Sequence, residues 1–214
     1  MANQSGRGKH HLPKYYLYIS STKVENLLPQ IPPKFVKSFE AEIKVNTGIF
    51  SATVRGKPAS EQPELSAQVG LLSAYLESKE QIGSITLPDR YIKDVAPLQY
   101  GVVAEYASDI AFFGGYSNGV KVGLIGASSS LVGGVSSSDA NHAPYYYTLK
   151  FLNGLARSDG DVSSDPPYYS YSQAIDIALK SLPPVTSRVE FLARTLYAKS
   201  DVIVATPIYV ALID

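Results

Sequence analysis

Ser20-Ser21-Thr22-Lys23 sets three hydroxyls and a cation in a row, directly after the aromatic, β-branched run Lys14–Ser20. A strand that feeds a helix start exposes free amides, and hydroxyls beside one Lys suit a small anion. The same residues also suit plain helix capping. A second segment offers comparable chemistry. Gly114-Gly115 is followed by Gly123-Leu-Ile-Gly126-Ala-Ser128-Ser129-Ser130 and then Gly133-Gly134. Glycine inside strands weakens them, so its repetition signals close approach of a backbone or a ligand, or bulged hairpin packing. The candidate ligand-binding residues are therefore Ser20, Ser21, Thr22, Lys23, Gly126 and Ser128. Gly126 lets backbone approach, and the hydroxyls of Ser128–Ser130 donate from a second wall. Tyr16 and Tyr18, read on one strand face with Ser20, are placed to stack on a ring.

A hydroxyl nucleophile within Ser128–Ser130 and His142 as base would make a hydrolase. Asp139 and His142, three residues apart, can orient an imidazole; a loop His making ordinary hydrogen bonds is the plainer account. The Walker, dinucleotide-binding and zinc-protease signatures are missing from the sequence. Asp159, Asp161, Ser163 and Asp165 follow the spacing of a calcium loop. The sixth place is Ser164 instead of Gly and the twelfth is Ser170 instead of Glu, so a solvated acidic loop is read. His10 and His11 fall in a polar, Gly-containing tail, residues 1–12, read as flexible. No metal site is read, no cofactor is indicated, and the reading leans away from an enzyme.

The chain has 214 residues, 45% of them hydrophobic and 18% charged, with no Cys. That length suits one domain with a sizeable core. Without Cys, disulfides, thiolate metal sites and Cys nucleophiles are excluded, and a cytoplasmic location is expected. No apolar run reaches membrane-spanning length, and the N-terminus lacks the apolar region of a secretory signal. The zero net charge conceals an asymmetry: residues 1–60 carry nine Lys/Arg against three Glu. These cations are scattered, so a solvated face is read and no nucleic-acid partner is expected. The 16 Tyr, clustered at Tyr15-Tyr16, Tyr145–Tyr147 and Tyr168–Tyr171, suit interfaces and leave a homo-oligomer open.

The elements that must position these residues follow from hydrophobic period and turn chemistry. Lys14–Ser20 reads as a strand, followed by a short apolar turn over Val24–Leu28. Pro33 opens a helix carrying Phe35, Val36, Phe39 and Ile43. Ile49–Arg55 alternates as a strand. Ser60–Gln81 reads as the strongest helix, with Leu65, Val69, Leu72 and Leu76 on one stripe. Ser84–Leu87 reads as a short strand, with a helical turn towards Val95. Gly101–Tyr106, Ile110–Phe113 and Val120–Ile125 read as strands, the last two joined by a tight turn at Asn118-Gly119. Tyr145–Ala156 and Ser172–Leu182 read as helices, the first burying Leu149 and Leu152. Ser187–Glu190 fits a capping box within a helical stripe over Val185, Val189, Leu192 and Leu196. Asp201–Asp214 reads as a strand with a bend or bulge at Pro207.

Three segments, Tyr15–Pro32, Phe112–Gly134 and Val189–Leu212, resemble an uncharacterised bacterial family, common in actinomycetes and known as a domain of unknown function. The resemblance spans most of the chain after the tail. The family's segment after the hairpin runs Gly-Leu-Gly-Gly-Ser with a His three residues on. Here Ile125 stands at the third place, Ala127 at the fifth and Ser130 at the His place. The resemblance implies a fold unit and no activity.

The expected fold is a single α+β domain over residues 13–214: a mainly antiparallel sheet with helices packed on it. Its core is read as Leu17, Ile19, the Leu65–Leu76 stripe, Phe112, Val122, Leu124, Leu149, Leu152, Val189, Leu192, Leu196, Ile203, Val204, Val210 and Leu212. The expected function is binding or sensing of a small anionic molecule, a nucleotide among the candidates. The alternatives are an interaction or oligomerisation domain and a Ser-dependent hydrolase.

Overall fold

The computed structural model describes residues 14–47, 65–79, 82–105, 107–133, 146–158 and 170–213. The tail, Ile49–Arg55, Asp139, His142 and the Asp159–Asp165 loop lie outside them. Among the described residues there are seven strands, β1 (Tyr15–Ile19), β2 (Ile82–Gly83), β3 (Tyr91–Val102), β4 (Ile110–Ser117), β5 (Val120–Ala127), β6 (Ser187–Lys199) and β7 (Val202–Leu212), and five α-helices. These are α1 (Ser21–Leu27), α2 (Pro33–Thr47), α3 (Leu65–Ser78), α4 (Tyr146–Ser158) and α5 (Tyr171–Ser181). No helix among the described residues is long and apolar enough to cross a membrane.

The α+β reading holds, but the sheet is not open. β3, β4, β5, β7 and β6 pair in that order, and β6 returns to β3, closing a five-stranded barrel. Most pairs are antiparallel; β5 with β7 and β2 with β3 are parallel. Counted within the barrel, the order is 1-2-3-5-4, with α4 and α5 between the third and fourth strands. That is the connectivity of an OB-type Greek-key barrel. Closure is achieved by long strands that change partner. β3 pairs with β6 over residues 91–98 and with β4 over residues 99–102.

The barrel interior is filled by Ile92, Leu98, Phe113, Leu124, Val189, Phe191, Ile203 and Val210, with Tyr18 and Ile85 added from outside the five strands. Asn118 and Gly119 turn the β4–β5 hairpin at φ 51° and 77°, the paired positive values that a tight two-residue turn demands. At the facing pair Gly114 and Gly123, α5 lies directly on the outer surface. A Cβ on Gly123 would meet Ile175 at 2.8 Å. The repeated glycine here serves close approach of the chain's own helix. Lys121 then ties β5 to Asp176 and to the Ser172 hydroxyl at 2.7 Å each, and Tyr116 donates to Asp176 at 2.6 Å. The second and third strands form the face on which OB-type barrels take oligonucleotides and oligosaccharides. In this chain α5 covers it, burying Ala174, Ile175 and Ala178. α1 and α3 cover the opposite flank over Leu192, Ile208 and Tyr209.

Several expectations are corrected. Ser187–Glu190 opens a strand of thirteen residues, not a helix. Val189, Phe191 and Ala193 point into the barrel while Leu192 packs outward under α3, so burial on both faces mimics helical spacing. The helical turn towards Val95 is likewise strand β3. Residues 84–87 form a tight turn closed by Ser84 N donating to Leu87 O, and the short strand precedes it at Ile82–Gly83. Val103 is where the Gly101–Tyr106 run leaves the sheet. Leu149 is 56% exposed; Phe151 and Thr148 fill its expected place. Leu17, Ile19, Leu65, Leu152, Leu196 and Leu212 are only partly buried. α5 begins one residue early because Ser170 and Gln173 form a reciprocal capping box.

Candidate functional site

β7 explains the turn that follows β1. One edge of β7 pairs with β6 throughout; the other pairs with β5 over residues 202–205 and with β1 over residues 209–212. Between them the chain passes Pro207, which has no N–H, and a register shift opens opposite Leu192 and Ala193, as expected of a Pro bulge. Two carbonyls in this gap lie beyond both ladders. Ser20 N donates to Ile208 O at 2.9 Å, and Lys23 Nζ donates to Pro207 O at 2.8 Å. The Ser20 hydroxyl, itself buried, accepts from Lys23 N at 3.4 Å and caps α1. The Ser20–Lys23 turn therefore completes the sheet where β7 changes partner. Ser21, Thr22 and Lys23 remain partly exposed.

The segment that follows the second Ser-rich turn also meets β1. An antiparallel bridge joins Tyr18 to Leu131, and Val132 N donates to Leu17 O at 3.0 Å. This register brings the 3-10 turn Ser128–Ser130 alongside the end of β1. Tyr18 lies between the two segments. A Cβ on Gly126 would stand 2.3 Å from the Tyr18 hydroxyl, so the phenol occupies that space. Lys23 Nζ lies 5.8 Å from the centre of the Tyr18 ring. Ser128 is held by its backbone, N donating to Asp109 O at 2.8 Å, and its hydroxyl donates to Ser108 O at 3.3 Å. The carboxylate of Asp109 bonds the Lys150 ammonium.

The predicted stacking face is not formed. A register shift between Tyr16 and Tyr18 breaks the simple alternation of β1. Tyr16 packs edge-on to Tyr209 at 5.7 Å on the helix-covered flank, and Tyr18 packs edge-on to Phe113 at 5.8 Å in the barrel. Tyr15 is the ring left outside, 70% exposed.

A further polar cluster has no sequence signature. The Glu190 carboxylate accepts from both Lys14 Nζ and the Tyr209 hydroxyl. Above it, Lys93 bonds Glu77 and lies 3.4 Å from the buried Ser73 hydroxyl. Burial pushes the Glu190 pKa up, but the donors Lys14 and Tyr209 and the charges of Lys14 and Lys93 outweigh it, leaving the carboxyl below its ordinary range. Burial, reinforced by Glu190, raises the Tyr209 phenol. The same balance lowers Asp176 beside Lys121 and Tyr116. These groups stay ionised, or in Tyr209 protonated, near neutrality, which suits structural ties better than proton transfer. Only Glu190 stood in a sequence pattern, as half of a capping box; its partner Lys14 is 176 residues away. Among the described residues, no three Asp, Glu or His side chains gather to hold a metal.

Comparison with known proteins places residues 14–214 within a family of unknown function, DUF7019. No curated protein and no solved structure matches the chain.

Proposed function

We propose that this chain, which belongs to the family of unknown function DUF7019, is a module that binds a small anionic molecule where β1 ends. The observation that carries this reading is the antiparallel bridge between Tyr18 and Leu131. It supports the reading because Leu131, which follows the Ser128–Ser130 turn, meets Tyr18, and Lys23 Nζ lies 5.8 Å from the Tyr18 ring centre. α1 has only seven residues, so the charge of Lys23 supplies the main attraction, with the Thr22 hydroxyl as a donor and the Ser128 hydroxyl donating in exchange for its bond to Ser108 O. The packing of Tyr16 against Tyr209 and the burial of Tyr18 favour recognition of phosphate or carboxylate over stacking of a base. The cover that α5 makes over the β4–β5 face supports a small ligand over an oligonucleotide. The cysteine-free sequence fits a reducing, cytoplasmic setting.

Isothermal calorimetry with inorganic phosphate, pyrophosphate and AMP tests the reading. Lys23→Ala is expected to weaken binding at least about tenfold, the worth of one charged hydrogen bond. Lys34→Ala, on the exposed side of α2, is expected to change it less than about twofold. Lys23→Ala also removes the donor to Pro207 O, so Thr22→Val serves as the variant that leaves this tie intact. Equal losses in Lys23→Ala and Lys34→Ala, or no binding of any probe by the wild type, would overturn the proposal.

One observation favours a second reading, an interaction domain. Tyr15 and Val132 are 70% and 57% exposed on neighbouring segments. Light scattering decides it: a concentration-dependent dimer lost in Tyr15→Ser supports the interface, and a monomer at all concentrations removes it.

A further inference from the structure

We draw no further inference here: the strongest candidate, the half-buried cluster of Lys14, Ser73, Glu77, Lys93, Glu190 and Tyr209 between α3 and the barrel, carries nothing because its carboxylates are matched by its own lysines and phenol and nothing in the structure shows what it would bind.

Discussion

Replacing Glu190 by Gln removes the carboxylate on which Lys14 and Tyr209 converge. Hydrogen bonds to a charged group are worth ~1.5–3 kcal/mol each, so a loss of about 2 kcal/mol is expected at pH 7 from urea midpoints. Because Glu190 titrates below its ordinary range in the fold, its contribution is complete above the ordinary carboxyl value of ~4.3. It fades as pH falls through the lower folded value. The gap between wild type and Glu190→Gln should therefore narrow steadily below pH ~4; a gap unchanged by acid would show that the carboxylate does no electrostatic work. Gly126 supports a second expectation. Gly126→Ala forces the Tyr18 phenol to move, at a cost of ~1–3 kcal/mol typical of overpacking. Tyr18→Phe removes the nearest atom, so the double variant should recover part of that loss, giving a coupling above ~0.5 kcal/mol. Strict additivity would show that the two residues do not compete for the same space.

At the scale of elements, the β4–β5 hairpin was legible because its turn is chemical. Asn118-Gly119 accepts positive φ, and the flanking runs alternate in and out of the barrel. A Val at position 119 would be held at φ 77°, so Gly119→Val is expected to lower stability by about 1–3 kcal/mol; an unchanged melting temperature would contradict the turn. β1, α3 and β7 were legible for similar reasons, each having a distinct period or a long apolar run. β3 and β6 were not. Their inner faces fill the barrel and their outer faces lie partly under helices, so polar alternation is lost and Val189, Leu192 and Leu196 imitate a helical stripe. Leu149 failed differently: it satisfied a helical period, but α4 turns Phe151 and Thr148 inward instead.

For the whole molecule, β7 is the strand on which closure depends, since it pairs with β1, β5 and β6. Ile208, Tyr209, Val210 and Ala211 are at most 1% exposed. Three large side chains at ~1.5–3 kcal/mol each approach the ~5–15 kcal/mol stability of a domain. Deleting residues 208–214 should therefore abolish cooperative thermal unfolding, and a soluble truncation with a sharp transition would show the segment to be peripheral. The barrel itself was hidden in the sequence because its parallel β5–β7 pair joins strands separated by α4, α5 and β6, and local patterns carry no record of such a crossover. The Ser20–Lys23 and Ser128–Ser130 turns stood out from hydroxyl, Gly and Lys spacing, while the packing of Tyr16 and Tyr18 on different sides of β1 depended on a register shift that no spacing rule reveals. Amide chemical shifts followed by NMR during titration with pyrophosphate test the central claim most directly. The account predicts saturable shifts concentrated at residues 20–23 and 128–130. Saturable shifts centred elsewhere, or none at millimolar pyrophosphate, would contradict it.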